Sequence, residues 1–123
     1  MMHQVFVSIG SNINPRNNIE KVKIILDDLF DCTYSSLFET AAEGFVGNKF
    51  INCVVRFDTN LLLTELRKKC KQVEKEMGRT EDQKGMSDRI IDLDIILYGD
   101  QVIKDNDFDI PRKDIDNHLF VLE

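Results

Sequence analysis

Surplus positive charge, long apolar runs, paired cysteines and flexible punctuation are all scarce in this sequence, and each shortage removes a class of protein. The 123 residues hold 16 Lys and Arg against 22 Asp and Glu, a net charge of −6. Such a chain lacks the cationic excess that drives general binding to nucleic acid or to an anionic membrane surface. No apolar run approaches the ~20 residues that span a bilayer, and no charged-then-apolar leader opens the chain. The expectation is a soluble cytoplasmic protein with neither nucleic-acid nor membrane partners. Cys32, Cys53 and Cys70 are odd in number, show no CxxC spacing and fall inside apolar patterns. They are expected to be small buried hydrophobes and not a disulfide framework. Two prolines and six glycines leave no linker or low-complexity segment, and no internal repeat is visible. The length suits one domain, residues 1–123, with a single core.

Periodicity orders the chain. His3 to Ile9 reads as a strand meeting the turn residues Gly10-Ser11-Asn12. Asn14-Pro15 reads as a helix cap followed by Pro at the first helical position, and Ile19, Val22, Ile25, Leu26, Leu29 and Phe30 then recur at helical spacing over 15–30. Thr33 to Glu39 and Phe50 to Phe57 predict two more strands. A second helix, capped by Asp58 or Thr59 and stopped by Gly78, has Leu62, Leu66, Cys70, Val73 and Met77 on its core face and a Glu65–Lys69 pair on its wet side. After a polar loop, Ile90 to Leu97 reads as a strand, and Gly99-Asp100 turns into Val102-Ile103. The order β-α-β-β-α-β, with right-handed crossovers, predicts an α+β ferredoxin-like sandwich whose two helices cover one sheet face and leave the other open.

Strand alternation then sorts side chains by face. Ile91, Leu93, Ile95 and Leu97 form one wholly apolar set, as do Ile51, Cys53, Val55 and Phe57, and both must face the helices. Phe50, Asn52, Val54 and Arg56, with Ile90, Asp92, Asp94 and Ile96, are left on the open face, where polar groups among large apolar ones suit a small-molecule site. The Asp92 and Asp94 carboxylates lie on one face about 7 Å apart at Cβ. They can converge on a divalent cation, and hard oxygen ligands favour Mg²⁺ completed by water and phosphate; a solvated edge-strand face is the alternative. Arg79 and Arg89 bracket the polar loop 80–88 and are either phosphate ligands or solvated surface cations. The acidic excess is local: residues 92–123 carry 9 acidic and 3 basic side chains, while 1–91 balance at 13 each.

With those residues in hand, the chain resembles the 6-hydroxymethyl-7,8-dihydropterin pyrophosphokinases of folate synthesis along almost its full length. Arg89-Ile90-Ile91-Asp92-Leu93-Asp94-Ile95-Ile96-Leu97-Tyr98-Gly99 is similar to that family's R-x-x-D-L-D-(I/L)-(I/L)-L-(Y/F)-G. Gly10-Ser11-Asn12, Phe38-Glu39-Thr40, Phe50-Ile51-Asn52 and Gly78-Arg79 follow the family order. The resemblance implies diphosphate transfer from ATP, the co-substrate, to the hydroxymethyl group of a reduced pterin, releasing AMP. It implies two Mg²⁺ ions on Asp92 and Asp94, with Arg79 and Arg89 steadying the transferring phosphates. Glu74, Ile95, Arg112, Lys113 and His118 would lie along the nucleotide. Asn52, Phe50, Phe120, Asp92 and residues Ala42, Glu43 and Gly44 would surround the pterin.

The chain also departs from the resembled pattern. Met86-Ser87-Asp88 stands where an aromatic and Gly-Pro usually precede the arginine, so Asp88 sets an anion beside Arg89 unless it pairs elsewhere. Arg112 and Lys113 follow Pro111 where His and an aromatic are usual, and His118 aligns with an arginine. Two other readings therefore stay open: a pterin- or nucleotide-binding regulatory domain of the same fold, and a pyrophosphokinase with a different acceptor.

Overall fold

The computed structural model describes residues 2–42, 47–83, 88–104 and 109–110. The elements are β1 (His3–Ser11), α1 (Pro15–Leu29), β2 (Thr33–Tyr34), β3 (Phe38–Thr40), β4 (Phe50–Thr59), α2 (Leu63–Glu76), β5 (Asp92–Tyr98), β6 (Ile103–Lys104) and β7 (Asp109–Ile110). The main sheet is antiparallel in the order β2-β4-β1-β5, with β3 pairing the start of β4. The β6–β7 pair forms a separate two-stranded ladder, with β7 close to β5. Val5, Val7, Ile9, Cys53, Val55, Leu93 and Ile95 from three strands share one buried cluster with Ile19, Val22 and Leu26 of α1 and Leu63, Leu66 and Val73 of α2. Both helices therefore pack on the same sheet face, and the α+β ferredoxin-like sandwich read from the element order is the fold. Each buried aliphatic of this cluster contributes about 1.5–3 kcal/mol by leaving water. Among the described residues no helix is long and apolar enough to cross a membrane.

Several local expectations are corrected. The strand expected over Thr33 to Glu39 is broken into β2 and β3, because Ser35 turns its hydroxyl into the ladder. Its Oγ accepts the Val54 N–H at 2.8 Å, while its own N–H donates to the Val54 carbonyl at 2.8 Å. Neither Asp58 nor Thr59 caps α2. The N-cap position falls on Leu62, whose N–H donates to Glu65 Oε1 at 2.9 Å. Glu65 is thus spent on the helix end and not on Lys69. Leu62 is 63% exposed and Leu63 takes the core position in its place. At α1, Asn14 occupies the N-cap in the left-handed region (φ 43°) without a side-chain cap bond, while Pro15 opens the helix as expected.

Alternation also fails once in β5. Val7 pairs with Ile95 but Phe6 pairs with Leu97, so the register shifts by one residue. Such a bulge rotates everything beyond it to the other face. Tyr98 enters the main core, 1% exposed, and donates its hydroxyl to the Leu61 carbonyl. Leu97, expected toward the helices, packs instead with Phe6, Val54 and Ile96 in a second buried cluster. This apolar patch on the open face separates the Asn52, Gly10 and Asp92 end of the sheet from the exposed Arg56.

The cysteines are free thiols. Cys53 and Cys70 are buried, and burial pushes them up to about 11 and about 12; burial also raises the half-buried Cys32. Protonated thiols are poor nucleophiles. In mildly alkaline buffer an alkylating reagent should modify Cys32 first and slowly, and Cys53 and Cys70 only on unfolding, as read by peptide mass spectrometry. Prompt labelling of Cys53 in the native protein would contradict this packing.

Candidate functional site

The residues singled out from sequence come together at one end of β5. Helix α2 closes on Gly78, whose φ of 99° suits glycine. The turn lets the Arg79 N–H donate to the Glu74 carbonyl at 3.1 Å and the Gly78 N–H to the Lys75 carbonyl at 3.0 Å, a Schellman-type end. This closure folds the Arg79 side chain back over α2. Its Nη1 donates to Glu74 Oε2 at 2.6 Å, the Ile91 carbonyl at 3.3 Å and Asp92 Oδ1 at 3.1 Å, while Nε donates to the Gln83 carbonyl at 2.9 Å.

Glu74 is 6% exposed. Its Oε2 also accepts the Leu93 N–H at 2.8 Å, so this one carboxylate satisfies an amide of edge strand β5 and a guanidinium together. Burial raises its pKa above the ordinary carboxylate range, against the opposing pull of the Leu93 N–H and Arg79, and the charge of Asp92 adds to the rise.

Asp92 is where the charges meet. Its Oδ1 lies 3.1 Å from Arg79 Nη1 and 3.0 Å from Arg89 Nη1. Two guanidinium groups held on one oxygen can both reach a single phosphate group. Asp94 lies one ladder step further along, opposite Ser8. Asp92 and Asp94 line an open pocket of ≈ 150 Å³ with Arg67, Cys70, Lys71, Glu74, Arg79, Leu93 and Ile95. This pocket runs along the outer edge of β5 beside α2, adjoining the open sheet face at Asp92. Ile95 lines it although its side chain belongs to the core.

The sheet face contributes a second row. Gly10 pairs with Asn52 on one side and Asp92 on the other, so Asn52, Gly10 and Asp92 stand abreast across three strands. Asn52 Nδ2 donates to Thr40 Oγ1 at 2.9 Å, which ties its amide to β3. A Cβ on Gly10 would lie 2.9 Å from Asn52 Oδ1 and 3.7 Å from Phe50 Cδ1. Glycine is thus required by what lies above it, and Gly10 and Ser11 are the last residues of β1 and not the turn expected. Gly10→Ala should displace Asn52 and raise KM for a ligand bound over this row about tenfold, roughly 1.4 kcal/mol, with KM for a ligand in the edge pocket unchanged. Equal changes in both would refute the separation.

Asp92 and Asp94 are hard oxygen donors beside cationic groups. Among the described residues no group of three or more His, Cys, Asp or Glu converges. With no third such ligand among the described residues, a cation held by this pair would be completed by water and phosphate, which suits Mg²⁺. Phe50 and Ala42 are half-buried, and Phe50 borders Gly10. Glu43, Gly44, Arg112, Lys113, His118 and Phe120 lie outside the described residues. Sequence reasoning passed over Arg67 and Lys71, although with Glu74 they recur at i+4 and i+3 beside the core stripe Leu66, Cys70 and Val73. That spacing was the available signal. It marked Asn12 only as part of the Gly10-Ser11-Asn12 turn, with no signal for its buried contacts to Asn48, Asp88 and Arg89.

Comparison with known proteins gives the family. The family described as 7,8-dihydro-6-hydroxymethylpterin-pyrophosphokinase matches residues 6–123. The chain is 36% identical over 122 residues to the 2-amino-4-hydroxy-6-hydroxymethyldihydropteridine pyrophosphokinase of Aquifex aeolicus, covering 97% of this chain and 76% of that protein. It is 27% identical over 130 residues to the protein of the same name from Haemophilus influenzae, covering 98% and 78%. A mitochondrial folate synthesis bifunctional protein of Pisum sativum is 34% identical over 123 residues, of which this chain spans only 24%. On the residues matched and the coverage of these relatives, the chain belongs to the 7,8-dihydro-6-hydroxymethylpterin-pyrophosphokinase family.

Proposed function

We propose that this protein is a Mg²⁺-dependent pyrophosphokinase that moves the terminal diphosphate of ATP onto the hydroxymethyl group of 6-hydroxymethyl-7,8-dihydropterin. Family membership supports the enzyme class, ATP as co-substrate and the pterin acceptor. The single observation that carries the residue roles is the row Asn52–Gly10–Asp92 with two arginines gathered on Asp92 Oδ1.

In this reading the pterin lies over Gly10, its edge hydrogen-bonded by Asn52 and its ring against Phe50, with Ala42, Glu43, Gly44 and Phe120 completing the pocket. ATP enters along the β5 edge beside Glu74 and Ile95, with Arg112, Lys113 and His118 toward the nucleoside. The hydroxymethyl oxygen attacks the β-phosphorus, the bond from that phosphorus to the oxygen bridging to the α-phosphate breaks, and AMP leaves. The hydroxyl proton passes to solvent or to a phosphate oxygen.

Asp92 and Asp94 would hold two Mg²⁺ ions, which neutralise polyphosphate charge and favour in-line geometry. Arg79 and Arg89 contact the transferring phosphates as charge grows on the departing oxygen. Glu74 keeps Arg79 oriented. Lys71 and Arg67 add positive charge to the pocket wall.

Chromatography of a mixture of protein, ATP, Mg²⁺ and the pterin should show AMP formed only when the pterin is present. ATP or pterin binding without turnover would favour a regulatory domain. AMP formed only with other hydroxylated acceptors would move the acceptor assignment.

A further inference from the structure

Asn12 has no part in the chemistry above, yet it is 1% exposed and fastened on several sides. Its Nδ2 donates to Asp88 Oδ1 at 2.8 Å and to the Asn48 carbonyl at 3.1 Å. Its Oδ1 accepts the Arg89 N–H at 2.7 Å, and its own N–H donates to the Arg89 carbonyl at 3.1 Å. Next to it, Ser11 Oγ donates to the Ile90 carbonyl at 2.6 Å.

These bonds converge on two segments that flank the site. One is Asp88-Arg89-Ile90, which delivers the Arg89 guanidinium to Asp92. The other is the stretch at Asn48 that leads into Phe50 and Asn52. Both side-chain protons of the Asn12 amide are used, one on each segment. A buried amide satisfied by two separate stretches of chain fixes them relative to each other, because releasing either leaves a buried donor without a partner. Asp88 is exposed, and its carboxylate is engaged by Asn12, which answers the concern that it stands as a bare anion beside Arg89.

We propose that Asn12 and Asp88 form a latch that positions Arg89 for the transferring phosphates and couples that placement to the segment entering the pterin row. The inference rests on the reading of Arg89 as a phosphate contact. Asn12 and Asp88 are positioning residues, since neither reaches the reacting atoms and both act through the backbone and side chain of Arg89.

The test compares AMP release and the hydrogen exchange of the Arg89 amide, resolved by NMR, in the intact protein and its variants. Asp88→Ala should lower kcat about tenfold with the melting transition retained, as befits an exposed position. Asp88→Asn keeps an oxygen acceptor for Asn12 Nδ2 and should restore the rate. In an Arg89→Ala background Asp88→Ala should cost nothing further, which a merely structural residue would not show. Exchange at Arg89 should quicken in Asp88→Ala and not in Asp88→Asn. In an active enzyme, an unchanged kcat in Asp88→Ala, or an equal loss with and without Arg89, overturns the latch. If the unmodified protein releases no AMP, the functional reading fails, and unchanged exchange at Arg89 then overturns the latch by itself. Should Asn12→Ala fail to fold, the Asp88 variants still decide the question.

Discussion

Asp92→Ala should lower pterin-dependent AMP release by at least about a thousandfold while leaving the fold intact. The size follows from what converges on this carboxylate. Arg79 Nη1 and Arg89 Nη1 both sit on Oδ1, and the residue stands next to Gly10 in the row that ends at Asn52. On the proposed mechanism its loss would remove one of the two carboxylates offered to Mg²⁺ and release both guanidinium groups from the point where the phosphates would pass. Asp92→Asn keeps the shape and one oxygen but not the charge. It should lose nearly as much, which separates charge from volume. Because Asp92 is only partly buried, thermal unfolding should change little. A variant that unfolds early, or one that keeps a tenth of the activity, would show Asp92 to be structural.

Glu74→Ala should cost about 3–5 kcal/mol of stability, the range for removing one member of a buried charged pair. The Leu93 N–H on the edge of β5 loses its acceptor, and the half-buried Arg79 guanidinium loses its shortest ion pair, keeping Asp92 and the Ile91 and Gln83 carbonyls. Glu74→Gln should behave differently. Its amide oxygen can accept the Leu93 N–H, and the cost of burying a carboxylate disappears, so stability should stay within about 1 kcal/mol of the parent. Activity should nevertheless fall, because Arg79 loses the charge that orients it.

The pH dependence has a definite sign. Folding raises the Glu74 pKa, chiefly through burial, so the folded state binds this proton more tightly than the unfolded chain does. Its contribution to stability is then greatest below the ordinary carboxylate range and declines as pH rises through the folded value. The melting temperature of the parent relative to Glu74→Gln should therefore fall as pH rises across that range. A parent that gains on Glu74→Gln with rising pH would show the Arg79 pairing to outweigh burial.

What was legible in the sequence was whatever depended on neighbours along the chain. The Asp92-x-Asp94 spacing inside an apolar strand, the helical recurrence of Leu66, Cys70 and Val73, and the arginines flanking a polar loop all report local periodicity, and the fold and the core of the site follow from them. The features that escaped are set by partners far away in sequence. Ser35 breaks a strand because Val54 lies beside it. Leu97 and Tyr98 exchange faces because the register of β5 slips against β1. Gly10 is glycine because Asn52 and Phe50 stand over it. Asn12 looked like plain turn chemistry because Asn48, Asp88 and Arg89 become its neighbours only on folding. The acidic surplus of residues 92–123 misleads in the same way, since at Asp92 it is compensated by Arg79 and Arg89 from before it.

On the proposed function this surface transfers a diphosphate and not a single phosphate, and phosphorus NMR of the protein with ATP, Mg²⁺ and 6-hydroxymethyl-7,8-dihydropterin distinguishes the two. AMP and a pterin carrying two coupled phosphorus atoms should grow in equal amounts and be absent when Asp92→Ala replaces the parent. ADP with a singly phosphorylated pterin, or an ATP spectrum unchanged by the protein, would contradict the proposed function.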